Sequence, residues 1–507
     1  MTESLLIKGG TVYTGTLDHP TKQDVRITGD RIEAVGNLEV GEAKIIDATD
    51  CIVTPGFIDV HNHTDVALPL FRAILKVEDI PELKGFLNFL SQGVTTIVTG
   101  NCGLGYASID ELFNYLDFLN FGANVYHLAP HGMIRLELFG KEQPVRLTTA
   151  QMKVFKKRIE EEMEKGAIGV STGLEYAPGW LADQNELIEI AEVVKKKGGI
   201  YATHMRTEAG EGILGAMEEA IEIGHRTGIP VQISHLKLGV PYKKSVTIEK
   251  VLQLIEKARK EGLDVTADQY PYSTSSTYFT WLLEDKSFLL TDNIKPEFKT
   301  SDGKALIAKA VSNRFKYLGP ENVLISECQQ NREYEGKTLK QVADQIKKDP
   351  AELYADMVCG DKMPWAVYYA QDASAVKEIM LHDYVFTISD GAIMMKGMGK
   401  YHPRYYAAFT RKIKQFALDE KIIDLNFAIR SMTSLPAEKF NIKGRGRIAE
   451  GCFADIAVID VNKINDNATY ENPDNLSECI VHLLVNGVHT IENGKYSGQT
   501  GGRAIRR

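Results

Sequence analysis

Apolar runs alternate with amphipathic segments through the middle of this 507-residue chain, predicting an α/β fold built on a (β/α)8, TIM-like barrel. Three observations carry that reading. Strand-like runs recur eight times between residues 56 and 439, helical segments separate most of them, and both ends of the chain follow a different, short-strand pattern.

The first fifty residues contain LLIKGGTVY, DVRITGDRIEAVG and KIIDATDCIVTPG, where apolar and polar residues alternate and Gly, Asp and Pro punctuate. The C-terminal end repeats the pattern in GRIAEGCFADIAVID and CIVHLLVNGVHTIENGKY. The two ends are therefore expected to form one small β-sandwich domain, from residues 1–55 and 440–507. Residues 56–439 are expected to form the barrel. Its strands are read at FIDVHNH, GVTTIVTGN, ANVYHLAPH, AIGVSTGLEY, GIYATHMR, PVQISHLK, DVTADQYPY and YVFTISDG. Helical spacing appears in IPELKGFLNFLSQG, LIEIAEVVKKKGG, ILGAMEEAIEIGHRTG and TIEKVLQLIEKARKEG, several of them closed by glycine. Strand–helix repetition of this kind implies parallel strands. A ninth strand candidate, NVLISEC, is assigned to an insertion at roughly 280–365, before the last barrel strand.

The composition is that of an ordinary globular protein, 44% hydrophobic and 25% charged. A net charge of −9 and a pI near 5.8 argue against a nucleic-acid partner. The one short basic stretch, Arg503 to Arg507, reads as a solvated end. The opening MTESLLIKGGTVYTG lacks the signal-peptide pattern, and no apolar run reaches membrane-spanning length. Six cysteines, at 51, 102, 328, 359, 452 and 479, lie far apart. That spacing suits reduced thiols and a cytoplasmic location rather than a disulfide framework.

Active sites of such barrels lie at the C-terminal ends of the strands. There the chain places His61-Asn62-His63, Asn101-Cys102-Gly103, Thr203-His204, Ser234-His235 and Ser389-Asp390-Gly391. Each alone has a bland reading: a hydrogen-bonded histidine, a small buried thiol, an Asp-Gly turn. Six such residues at equivalent places in their units point to a common centre. On a strand, His61 and His63 share a face. His19, His225 and His482 fall in helices or turns and keep the bland reading. Imidazoles together with a thiolate favour zinc over magnesium or calcium, which take oxygen ligands.

His61-x-His63 after VTPGFID, His204, His235, the strand-end Asp390 and the closing GRGRIAEGCFADIAVID resemble the amidohydrolase superfamily. GVTTIVTGNCG, STGLEYAPG, THMRTEA, ISHLK, DQYPY, SDG and HPR are similar to its D-aminoacylase branch, the N-acyl-D-amino-acid deacylases. Cousins of that branch, such as hydantoinases, carry a carboxylated lysine on the fourth strand. Here that strand, AIGVSTGLEY, has none, and Lys165 precedes it, separated by Gly166. The resemblance implies that Cys102, His204 and His235 hold a tighter Zn2+. His61, His63 and Asp390 would then line a weaker second metal position. It further implies that Asp390 moves the proton, that Tyr176 bonds the scissile carbonyl, and that Lys237, Tyr270 and Arg404 hold the substrate's α-carboxylate. The expected reaction is zinc-dependent hydrolysis of a small-molecule N-acyl-D-amino acid to a carboxylate and a free D-amino acid. A dipeptidase acting on C-terminal D-residues, a cyclic amidase and a non-catalytic scaffold of the same fold are the alternatives. Two departures from relatives, Leu236 after the sixth-strand histidine and STSSTYF after DQYPY, fall near the expected pocket. Acyl group, side chain and oligomeric state stay open.

Overall fold

The computed structural model describes residues 4–239, 246–291, 293–465 and 467–507. Eight parallel strands form a barrel: Phe57–Asp59, Val94–Thr99, Asn124–His127, Gly169–Gly173, Ile200–His204, Val231–Ile233, Val265–Gln269 and Val385–Thr387. They are buried on both faces, which is why runs such as VTTIVT are not interrupted by charge. The third strand continues as Ala129–Pro130, and the ladder crosses it through Leu128 N–H to Thr99 O (2.9 Å) and Ile168 N–H to His127 O (3.0 Å). The ring closes between the eighth and first strands beyond their regular ends. There Asp390 N–H donates to His61 O (2.9 Å) and His63 N–H to Gly391 O (2.6 Å). The closing bonds thus fall on residues singled out for chemistry.

Helices cover the barrel where the amphipathic segments predict them, at Gln184–Lys196, Gly212–Thr227 and Ile248–Lys260. Asp183 caps the first of these by accepting from Glu186 N–H, and Gly228, at φ 67°, ends the second. The segment IPELKGFLNFLSQG differs from its helical expectation. It forms two short turns, Pro81–Lys84 and Leu87–Leu90, broken at Phe86 with φ 54°. The physical reason lies in Gly85, where a Cβ would meet Tyr496 Oη at 2.6 Å: the chain bends to pack against the C-terminal β-sheet.

Between the seventh and eighth strands lies an antiparallel sheet of Ser275–Tyr278, Trp365–Tyr368 and Val323–Glu327, the last formed by NVLISEC. Helices Ser301–Phe315, Leu339–Ile346 and Pro350–Val358 pack on it around a separate core that includes Phe279, Ile325 and Tyr354. Both chain ends share a seven-stranded sheet in which Ile456–Ile459 lies antiparallel to Ile52–Pro55. That sheet joins the four-stranded sheet of Ser4–Lys8, Asp24–Thr28, Arg31–Gly36 and Lys44–Asp47 across a core of Ile7, Val25, Val53, Ile456 and Leu484.

The basic tail keeps its three arginines exposed, as a solvated end would, but its backbone is docked. Val125 N–H donates to Arg503 O and Ile505 N–H to Val125 O, both at 2.9 Å, so the tail runs parallel beside the third barrel strand. Arg503 pairs with Asp30 (2.7 Å) and Arg506 with Asp110 (2.8 Å). Arg503 and Arg506 thus each meet an acid brought in by the fold, and Arg507 donates to Lys197 O (2.8 Å). No helix among the described residues is long and apolar enough to cross a membrane.

Candidate active site

The C-terminal ends of the strands surround a cavity open to solvent. Nine of the ten residues expected to act here line it: His63, Cys102, Tyr176, His204, His235, Lys237, Tyr270, Asp390 and Arg404. The tenth, His61, is fully buried directly beneath.

Cys102 is held by an unusual backbone. It sits at φ 55° between Gly100 (φ 79°) and Gly103 (φ 68°), in a turn that wraps over the end of the second strand. A Cβ at Gly100 would meet Leu128 O at 2.1 Å, so only glycine fits there. The turn is pinned from three sides. Asp65 accepts from Gly100 N–H (3.0 Å), Ser171 from Gly103 N–H (3.0 Å), and Asn101 Nδ2 donates to Val98 O (2.9 Å).

This turn delivers the Cys102 Sγ to within 3.3 Å of His61 Nε2, 3.6 Å of His235 Nε2 and 3.7 Å of His204 Nδ1. Tetrahedral zinc with sulfur at about 2.3 Å and nitrogen at about 2.0 Å sets neighbouring donors roughly 3.5 Å apart. The donor set therefore fits zinc in both spacing and softness. His61, His63 and Asp390 form an adjoining group, with His63 Nε2 3.2 Å and His61 Nε2 3.7 Å from Asp390 Oδ1.

Each of the three histidines around Cys102 has a carboxylate behind it. Glu175 lies 3.1 Å from His204 Nε2, Glu208 2.7 Å from His235 Nδ1, and Asp268 3.5 Å from His61 Nδ1. Such partners fix the ring orientation and raise the basicity of a metal-binding imidazole. Sequence reasoning passed over all three, although they sit inside STGLEY, THMRTEA and DQYPY. Their signal is an acid at or near a strand end beside a strand-end histidine.

The electrostatics suit a cation. Burial pushes the Cys102 thiol up, but the charge of His61 and hydrogen bonds from His204 and His235 outweigh it and hold the sulfur well below the usual thiol range. Burial likewise works against an ionised Asp390, yet Arg404, His235 and His63 hold it well below the usual carboxylate range. For His204, burial opposes protonation, and the negative charge of Glu208, Cys102 and Glu175 reverses that, lifting it to about 10. Negative charge is thus concentrated where a divalent ion would offset it.

Lys237, Tyr270 and Arg404 do come together. Arg404 lies over the Tyr270 ring at 4.5 Å and Lys237 at 5.8 Å. Neither cation is uncommitted: Lys237 Nζ meets Glu208 at 2.6 Å and Arg404 Nη1 meets Asp390 at 2.9 Å. The Tyr176 ring stands 4.7 Å from that of His204, with its hydroxyl 3.2 Å from Thr277 Oγ1. Burial, then the charge of Glu175 and Cys102, pushes the Tyr176 phenol well up, so it keeps its proton.

The two departures from relatives separate here. Leu236 points into the barrel core and does not line the cavity, whereas Ser275, Ser276, Thr277 and Tyr278 of STSSTYF do. Lys165 pairs with Glu162 (3.1 Å) and Asp110 (3.3 Å) instead of entering the site. His225 lies 3.4 Å from Glu261 and His482 3.0 Å from His489, both away from the cavity.

The sequence model of the amidohydrolase family matches residues 44–491. An N-acyl-D-glutamate deacylase of Alcaligenes xylosoxydans xylosoxydans is 30% identical over 99% of this chain and 96% of its own. A D-aminoacylase of the same organism is 30% identical over 99% of this chain and 97% of its own. Among solved structures, the N-acyl-D-glutamate deacylase of Bordetella bronchiseptica superposes with a TM-score of 0.82 at 28% identity, over 100% of both chains. That structure holds zinc and a phosphonate inhibitor described as a mimic of the tetrahedral intermediate.

Proposed function

The chain belongs to the amidohydrolase family, and from that premise we propose that it hydrolyses N-acyl-D-amino acids to a carboxylate and a free D-amino acid, using zinc. The observation that carries the reading is the set of three imidazole nitrogens within 3.7 Å of one thiolate, with Lys165 tied up elsewhere. A cyclic amidase of the lysine-bridged type would need that lysine at the fourth strand's end.

In this reading Cys102, His204 and His235 hold the tighter zinc, and His61, His63 and Asp390 frame a weaker second position. Bound there, zinc would supply a Lewis acid for the scissile carbonyl and acidify a water molecule. The rest is the work of the chain's own side chains. Asp390, kept ionised by Arg404, takes the proton of the attacking water and returns it to the leaving nitrogen. Tyr176, kept protonated, donates to the carbonyl oxygen as charge builds on it. Lys237, Tyr270 and Arg404 receive the α-carboxylate, a cluster of donors suited to a planar anion. Arg404 can share one guanidinium edge with Asp390 and offer another to the substrate.

The catalytic unit is residues 56–439, carrying an insertion at roughly 280–365, with the small β-domain drawn from 1–55 and 440–507. All six cysteines are free, which supports a reducing, cytoplasmic setting. The test is a screen of N-acetyl- and N-formyl-D- and L-amino acids with zinc-loaded protein. Turnover confined to the D series supports the proposal. Equal turnover of L substrates, or turnover of hydantoins or dihydroorotate in their place, overturns it.

A further inference from the structure

Resting on that reading, we propose that the insertion makes this enzyme selective for N-acyl-D-amino acids with a bulky apolar or aromatic side chain, and selective against acidic ones. The cavity wall from the insertion is aromatic. Tyr278, Trp281 and Trp365 all line it, and each is only partly buried, so ring surface faces the cavity. Tyr278 and Trp365 are cross-strand partners with ring centroids 4.4 Å apart, which fixes them as one rigid panel. Trp281 is braced from behind by Tyr368 at 4.7 Å.

The panel is joined to the carboxylate anchors. The strand Ser275–Tyr278 begins beside Arg404, whose Nη2 lies 3.5 Å from Ser276 O, and ends in Tyr278. Gln371, just beyond the partner strand Trp365–Tyr368, donates to Tyr270 Oη at 2.9 Å. A substrate whose α-carboxylate meets Lys237, Tyr270 and Arg404 therefore places its α-carbon next to this panel, and the substituent on that carbon is the side chain. Val66 and Leu104, which follow the first and second strands, remain for the acyl group.

Charge points the same way. Among the described residues that line the cavity, the cations are Lys237 and Arg404, each already within 2.9 Å of a carboxylate. Glu175 lines the same cavity; the narrow side cleft it shares with Tyr278 and Trp281 also holds Lys286, which does not line the main cavity. A second carboxylate, carried by a D-glutamyl or D-aspartyl side chain, would meet Glu175 and aromatic faces. Anions are disfavoured over the negative face of a ring.

The experiment measures kcat/KM of the zinc-loaded full chain on the N-acetyl derivatives of D-Phe, D-Leu, D-Ala, D-Glu, D-Asp and D-Lys. An apolar pocket discriminates by about tenfold or more per buried group. D-Phe and D-Leu should therefore exceed D-Ala by at least about tenfold, and D-Glu and D-Asp should rank last. Trp365→Ala should lower the D-Phe to D-Ala ratio about tenfold, and Trp365→Phe should restore most of it. A preference for D-Glu, D-Asp or D-Lys overturns the proposal, as does a ratio unmoved in Trp365→Ala. Tryptophan fluorescence separates this failure from failure of the underlying function. Saturable quenching by free D-Phe and not by free D-Glu, in a protein that hydrolyses none of the six, keeps the pocket and discards the reaction. Absence of both turnover and quenching discards the pocket as well.

Discussion

Arg404 Nη1 lies 2.9 Å from Asp390 Oδ2, with both side chains all but excluded from solvent. A residue that family likeness assigns to the substrate thus also holds the carboxylate assigned to proton transfer. Arg404→Ala should then do more than lose a substrate contact. A lost charge-assisted hydrogen bond to the substrate costs about 1.5–3 kcal/mol, or roughly ten- to a hundredfold in kcat/KM. Leaving Asp390 buried without its partner adds to that. The variant should lose activity on N-acetyl-D-leucine and, to a lesser degree, on the matching carboxamide. Steady-state kinetics on the pair decide it: an unchanged carboxamide rate would mean that Arg404 serves the substrate alone.

Cys102 and Glu208 should separate direct from indirect support of the metal. Cys102→Ala removes the thiolate and should abolish stoichiometric zinc, read by elemental analysis after dialysis. Glu208→Gln leaves the ligand set intact but weakens the acceptor behind His235 Nδ1, 2.7 Å away. Outer partners of this kind are worth about 10–100-fold in metal affinity. Chelator competition should find that weakening in Glu208→Gln. Full zinc retention in Cys102→Ala would remove the sulfur from the ligand set.

The barrel was legible because each strand is a short apolar run ending in a polar residue, and that pattern survives without any knowledge of partners. The histidines and Cys102 were legible for the same reason: each terminates its run. Glu175, Glu208 and Asp268 were not, since an acid behind a histidine looks along the chain like any surface acid. Their role exists only through the registers that set Glu208 against His235 and Asp268 against His61. The Phe86 break and the docked tail were hidden for a related reason. Both depend on contacts with distant segments, Gly85 against Tyr496 and Arg503 against Asp30.

The tail carries a prediction of its own. Truncation after Gly502 removes the Val125 pairing and the Arg503–Asp30 and Arg506–Asp110 contacts. Backbone bonds contribute about 1 kcal/mol each, and the exposed ion pairs less. The shortened protein should lose on the order of 2–3 kcal/mol of stability and melt several degrees lower in calorimetry. An unshifted melting curve would return Arg503–Arg507 to the status of a passive end.

Lys412 should give the fold a pH dependence independent of the active site. It is buried, its Nζ donates to Ser431 Oγ at 3.0 Å, and burial alone pulls its pKa down to about 7. In the unfolded chain a lysine titrates near 10.4. Between about pH 7 and pH 10 the unfolded state therefore binds more protons than the folded one, and stability rises with pH across that window. Below about pH 7 both states are protonated and the folded state bears the full cost of a buried ammonium, on the order of 5 kcal/mol as an upper bound. Lys412→Met, similar in length and free of charge, removes that cost and leaves Ser431 bonded to Ala428 O at 2.7 Å. The variant should melt above wild type at pH 6, and the gap should shrink steadily toward pH 9.5. Melting curves at those two pH values and one between them are enough. A gap that stays constant, or that widens as pH rises, would show that Lys412 keeps its proton in the fold through contacts other than Ser431.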